Sequence, residues 1–350
     1  MRGGGGMSPR LHLARLSGAA SLQDAGRHGF LRFGLSASGP MDPVAFAAAN
    51  LLVGNGPDAA VIEFGLAAAT LRVEGGPVRL AFAGAVGGLS LDGEPIAAHR
   101  SFLLREGAEL TVARPRDGVF AVLAASGGFP VPRVMGSRSL HQRAALGGCD
   151  GRPLREGDRL PLGPLPPSGE AERCLDPVAL ERGEPIRVVL GPQDDHFPPD
   201  GLATFLGRDF TVSNRADRMG YQLDGPEIAH GAQGFNIVSD ATVAGSVQVP
   251  GSGRPIVLLA DRQTTGGYPK IATVISADLR RIAQRRPGET VRFEAVDLAA
   301  ATRLARARGA HLAGLAARLR SVESEAERLM SANLAGESVD ALGPGEAGEE

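Results

Sequence analysis

Lysine is almost absent from this 350-residue chain: among 37 basic residues Lys270 is the one lysine, and all the others are arginine. A lysine is a compact point charge with rotatable donors and an arginine a rigid planar fork, so a site built on the first does not tolerate the second. Charge of one sign is also lacking, since the net charge is -2 and the pI about 6.4. That leaves no electrostatic footprint for nucleic acid or an anionic membrane. No apolar run approaches the roughly 18 residues that cross a bilayer, and the start, Met1-Arg2 followed by glycines, lacks the apolar centre of a signal peptide. A cytoplasmic location is expected. The 2 cysteines, Cys149 and Cys174, have neither metal-ligand nor redox spacing, which predicts free thiols. Tryptophan is missing and aromatic residues make up 4% of the chain.

What is abundant is glycine (49) and proline (25), a composition that suits a turn-rich β globule. Short apolar runs at 11–16, 70–73, 78–83, 110–113 and 119–124 predict strands, with Gly75-Gly76-Pro77 and Asp92-Gly93 as turns between them. One helix interrupts them, with Asp42 as N-cap, Pro43 at the first helical position and Gly54 beyond its end. After a Pro-rich stretch, strands are predicted again at 186–190, 210–213, 235–238, 246–249, 255–260, 271–275 and 291–295, with a short helix from Ser276 through Ile282. The expected organisation is a disordered extension (1–10), an N-terminal β domain (11–161), a linker (162–184), a C-terminal β domain (185–296), an amphipathic helix (297–330) and a disordered acidic tail (331–350).

Four segments carry the chemistry. The densest is 261–270, where Gln263, Thr264, Thr265, Tyr268 and Lys270 follow a buried strand and precede another, an arrangement that suits holding an amide or carboxylate and polarising its carbonyl. These five are the candidate catalytic residues. A second segment runs through Asp24, Arg27, Ser38 and Gly39 to Asp42, at a helix N-terminus that favours anions, though the same residues suit a capped helix after an ordinary loop. The third, Gly136-Ser137-Arg138-Ser139, reads as an oxyanion clamp or a solvated turn. In the fourth, Asp217 to Tyr221, Arg218 suits a carboxylate ligand or a pairing with Asp217 or Asp224. The sequence holds no phosphate-loop, dinucleotide or zinc-protease motif, and the scattered histidines predict no metal site.

Taken in order, Gln23-Asp24, Gly26-Arg27, Ser38-Gly39, Met41-Asp42, 136–139, 217–221, Gln248-Val249-Pro250 and 261–270 resemble the family known as the 5-oxoprolinase C subunit, Kip inhibitor antagonist, allophanate hydrolase subunit 2-like protein or biotin-dependent carboxyltransferase. Leu140 departs from it, standing where threonine is expected. The resemblance implies a mostly β fold with a few helices, built as tandem cyclophilin-like β-barrels. It implies a complex with the 5-oxoprolinase B subunit, a Kip inhibitor-like protein, and with the A subunit, which together hydrolyse ATP to open 5-oxoproline, a small amide, to glutamate. It adds Gln248 to Asp24, Arg27, Ser38, Gly39, Asp42, Arg138 and Arg218 as substrate-binding residues, with ATP bound by the complex. Half of a biotin-dependent carboxyltransferase acting on a urea-like amide, or a non-catalytic antagonist of a kinase-inhibitor protein, are the alternatives it leaves. Biotin carriers need an exposed lysine between methionines, and Tyr268-Pro269-Lys270-Ile271 is not such a site, so biotin is not attached to this chain.

Overall fold

A computed structural model describes residues 9–164, 171–180 and 182–322. The expected N-terminal extension and acidic tail fall almost wholly outside them. The described residues are mostly β, with four α-helices: α1 (Pro43–Leu52), α2 (Pro199–Gly207), α3 (Leu279–Ala283) and α4 (Leu298–Gly314).

In the N-terminal half a 9-stranded antiparallel sheet curls into a half-barrel. Its spine is a long pair, Arg10–Gln23 against Val61–Glu74, which runs from Arg10 opposite Glu74 to Gln23 opposite Val61. Irregularities between Leu13 and Arg15 and between Ser17 and Ala19 bend this pair. Gly18 sits at the second bend with φ +103, where a Cβ would lie 2.7 Å from the Cα of Ala67, so no larger residue fits. Inward positions such as Leu13, Leu22, Ile62, Phe64, Leu80 and Leu123 form the core, with the Phe64 and Phe82 rings stacked 5.7 Å apart. On the sheet's other side α1 lays Ala45, Ala48, Ala49 and Leu52 against Ala81, Ala83, Val122 and Ala124. Small residues on both surfaces let helix and sheet approach closely. The cap is as the sequence predicts: Asp42 Oδ1 accepts from the backbone N–H groups of Val44 (3.1 Å) and Ala45 (3.0 Å), and Pro43 opens the helix.

The C-terminal half is an 8-stranded sheet whose edge strands are Thr290–Val291 and Phe293–Ala295. Arg292 alone separates them in the chain, so the sheet closes on itself into a nearly complete barrel. Phe205, Phe210, Phe293, Val247, Val257 and Ile271 fill it. The strands 256–258 and 270–274 do not pair with each other; Ser246–Gln248 lies between them and bonds both.

This second core continues into the first half through Met41, Val119 and Phe120. Gln284 pins the junction. Its Oε1 accepts from Val119 N (2.7 Å) and Phe120 N (2.8 Å), while its Nε2 donates to Phe120 O (2.7 Å) and Asp42 Oδ2 (2.9 Å). Every polar atom of this buried amide is thereby satisfied.

Three sequence expectations change. Residues 235–238 form no strand: Val238 is 92% exposed and Phe235 44%, and although Ile237 N donates to the Gly267 carbonyl at 2.9 Å, the regular pairing with that segment begins at Asp240. The last helix ends at Gly314 instead of continuing to 330; residues 316–318 form a tight turn, and Arg320–Ser321 then pairs with Arg173–Cys174 inside the expected linker. Helix α2 and the strand Gly220–Asp224, which the periodicity did not single out, complete the second half.

A candidate anion site between the halves

The residues singled out by the sequence divide between a structural joint and a cavity. At the joint, Arg218 reaches from the C-terminal half to Asp261 (Nε to Oδ2 2.8 Å, Nη2 to Oδ1 3.0 Å), to the Gly39 carbonyl (2.8 Å) and to Glu63 of the N-terminal half. Neither Asp217 nor Asp224 is its partner. Glu63 and Asp261 are buried, and Met41 N donates to the second oxygen of Glu63 at 2.7 Å. Burial pushes the Glu63 carboxyl up despite the opposing pull of Arg218, whereas the two carboxylates hold Arg218 firmly protonated. The guanidinium is spent within the chain. Asp42 makes a second strut: beyond capping α1 it accepts from Arg280 Nε at 2.9 Å and from Gln284.

Asp24 likewise faces inward. Its carboxylate accepts from Ser137 Oγ (2.5 Å), Ser139 Oγ (2.7 Å), Arg138 N (2.5 Å) and Gly26 N (3.0 Å). Burial pushes this carboxyl up, but the four hydrogen bonds outweigh it and hold it below the ordinary carboxylate range. The serines of 136–139 are therefore committed to Asp24, and the Arg138 side chain to the Val131 carbonyl at 2.8 Å.

Beside this knot lies a cavity of about 570 Å3 between the halves. Its wall carries arginines at 27, 187, 262, 280, 281 and 308 and, among the described residues, no aspartate or glutamate. Asp278 pairs with Arg187 (2.6 Å) and Arg281 (2.9 Å), and Asp42 with Arg280. Arg27, Arg262 and Arg308 have no ion pair among the described residues. Arg27, 1% exposed, donates from Nε to Val134 O (2.9 Å) and from Nη2 to Ser139 O (3.0 Å), but its Nη1 has no partner. Arg262, 8% exposed, has only a 3.5 Å bond from Nη1 to Leu259 O, and its Nε is bare. Burial lowers the pKa of both, which Asp24 and Asp261 partly offset at Arg27. The Ser38 hydroxyl, on a residue held at φ +56, is also buried without a partner on this wall. Buried donors without acceptors are costly unless something binds them, so these atoms mark a site for an anion.

The lysine segment is split. Arg262 lines the large cavity, and Gln263, Thr264 and Thr265 line a smaller one with His141 and Arg143. Tyr268 is 40% exposed, and Gln248 is buried with its Oε1 accepting from Gln263 Nε2 at 3.1 Å. Lys270 is 2% exposed and donates to Asp240 Oδ2 at 2.7 Å, away from these cavities. In the smaller cavity His141 Nδ1 accepts from Ala144 N (3.2 Å), so its Nε2 bears the proton and donates to Ser36 Oγ at 3.1 Å. Leu140 lines a third cavity, of about 360 Å3, beside Glu63, Arg218 and Asp261. No cluster of metal-ligating side chains occurs among the described residues. Sequence reasoning missed Arg262, Arg280 and Arg308; the signal available was an arginine bias too general to single them out.

Two curled β-sheets with a cavity between them define a β-barrel class of protein, and comparison makes the family specific. Residues 33–295 match the carboxyltransferase domain, subdomain A and B, and the chain belongs to that family. It is 38% identical over 287 residues to the 5-oxoprolinase C subunit of Haemophilus influenzae, covering 82% of this chain and 91% of that protein. The Escherichia coli protein of the same name is 36% identical over 283 residues, 81% of this chain and 90% of its own. The crystal structure of K. lactis urea amidolyase superposes with a TM-score of 0.78 at 26% identity, over 87% of this chain but 20% of that one.

Proposed function

We propose that this chain is the C-type component of an ATP-dependent 5-oxoprolinase complex, a hydrolase that opens the cyclic amide 5-oxoproline to glutamate with its A-type and B-type partners. The single observation that carries the reading is the cavity with no acid among its described lining residues and with unpartnered donors on Arg27, Arg262 and Ser38. The near full-length likeness to relatives named as the C subunit of 5-oxoprolinase supports it. In this reading the bare guanidinium atoms grip the substrate carboxylate, leaving the lactam carbonyl open to polarisation and to attack by water as the C–N bond breaks. ATP is bound by the assembled complex, which works in the cytoplasm. Reconstitution with the A-type and B-type partners tests it by glutamate and ADP release from 5-oxoproline. Arg262→Ala is expected to lower turnover by about a hundredfold, as loss of a charge-stabilising donor does. A reconstituted complex that releases neither product sinks the proposal.

The family match and the urea amidolyase likeness favour a second reading, half of a biotin-dependent carboxyltransferase for a urea-like amide. Biotin would then arrive on another chain, since burial and the Asp240 pairing of Lys270 argue against its biotinylation. Transfer of a carboxyl group from a biotinylated partner to urea, with no glutamate from 5-oxoproline, is the outcome that selects this reading.

A further inference from the structure

Helix α4 lies beyond the residues matched by the family, 33–295, yet Leu304, Arg308 and His311 of this helix wall the cavity. These positions are spaced i, i+4 and i+7, on one helical face, and the same face continues through Ala301 and Leu315, which are buried. A helix held by packing alone turns apolar side chains inward. This one places an arginine and a histidine at the centre of its inward face. Arg308 donates from Nη1 at 2.6 Å to the carbonyl of Ser276, itself on the cavity wall, and burial lowers its pKa against an opposing pull from Asp42. His311 Nε2 is buried with no partner.

We infer that Arg308 and His311 of α4 complete, with Arg27, Ser38 and Arg262, a site for a phosphoryl dianion on a small, partly apolar ligand. The inference rests on reading this cavity as the substrate site of the proposed complex, and it goes further by naming the ligand's charge. Among the described residues, the three arginines without ion pairs leave more positive charge in the cavity than one carboxylate neutralises. A phosphoryl group brings a charge of about -1.5 to -2 at neutral pH and three acceptor oxygens, which suits guanidinium forks, a hydroxyl and an imidazole together. Met41, Val44, Leu259, Leu279 and Leu304 line the rest and suit an apolar body. 5-Oxoproline itself has a single carboxylate, so the dianion is that of a second ligand bound beside it.

Isothermal titration of the intact chain with inorganic phosphate at low ionic strength, with acetate as the monoanion, tests this. Phosphate is expected to bind at least about tenfold more tightly than acetate, and Arg308→Ala to weaken phosphate by a factor of ten or more. Arg303→Ala, an exposed position on the same helix, leaves binding unchanged. His311→Ala provides a second probe should the Arg308 variant not fold, and unliganded melting curves report folding. Equal phosphate affinity in wild type and both α4 variants, equal affinity for acetate, or no phosphate binding by wild type overturns the inference. A complex that turns over 5-oxoproline while the chain ignores phosphate overturns it and leaves the proposed function standing. Phosphate binding lost on Arg308→Ala, with no glutamate from any reconstitution, sustains it and removes that function.

Discussion

Replacing Arg218 by methionine tests the joint between the halves. Arg218 satisfies two buried carboxylates, Glu63 and Asp261, whose side chains are 1% and 6% exposed, and the Gly39 carbonyl. Methionine keeps much of the bulk but leaves both acids without their cation. Removing one partner of a buried pair costs about 3–5 kcal/mol, because the orphaned charge stays desolvated. For a chain of this size that is a fall in melting midpoint of about 4–7 °C. The deficit should also depend on pH. Burial already raises the folded pKa of Glu63, and losing Arg218 raises it further. With a folded pKa above the unfolded one, the carboxyl's stabilising contribution is complete below the unfolded value and is lost as pH rises through the folded value. The variant's deficit is therefore largest at alkaline pH and shrinks on acidification, as Glu63 takes up its proton. Adding Glu63→Gln should recover part of the loss at pH 8. Calorimetry and far-UV circular dichroism suit the measurement, since there is no tryptophan to report unfolding by fluorescence. A loss below about 1 kcal/mol at pH 8, or a deficit that does not shrink on acidification, refutes the assignment of Arg218 as a buried clamp.

Asp24→Asn should destabilise at neutral pH, because the amide accepts fewer and weaker hydrogen bonds than the carboxylate that Ser137, Ser139, Arg138 and Gly26 surround. The folded pKa of Asp24 is depressed, so its contribution is present above the unfolded value near about 4 and is lost as pH falls through the folded one; denaturant titrations of the variant and wild type must converge on acidification. Asp42→Ala removes a helix cap worth about 1 kcal/mol and strands Arg280 and Gln284, so urea denaturation should show a loss above that of capping alone. Lys270→Arg alters a buried ammonium paired with Asp240 outside the large cavity; the melting midpoint should fall while turnover of the reconstituted complex stays within about threefold, and a hundredfold loss of rate would return Lys270 to the chemistry.

Much of the backbone was legible because its signals are local. Asp42 and Pro43 announce α1 within two positions, and the strands at 78–84, 120–125 and 186–190 follow from apolar runs with turns on either side. The run at 235–238 looks the same in sequence and is no strand, because a strand needs a ladder of pairings with residues distant in the chain, and here that ladder starts only at Asp240. The site was half legible. Arg27, Ser38 and the segment after Asp261 were picked out, but the roles within them were not. Asp24 and Arg218 read as ligand-binding groups, since a carboxylate or guanidinium near glycines is the same whether its partner is a substrate or a residue far along the chain.

By itself the sequence determined the strand-rich composition, the capped helix, the ordered motifs of the family and the rarity of lysine. These are properties of neighbours a few residues apart or of counts. Tertiary structure alone decided which charges are free. Glu63 meets Arg218 across 155 positions, and Asp42 meets Arg280 across 238. Those pairings, set by sheet closure and by the docking of the two cores, consume some cations and leave Arg27, Arg262 and Arg308 without an ion pair among the described residues around one cavity. The solitary Lys270, conspicuous in composition, is placed by strand register behind Asp240, whereas arginines that composition makes unremarkable become the anion site through desolvation.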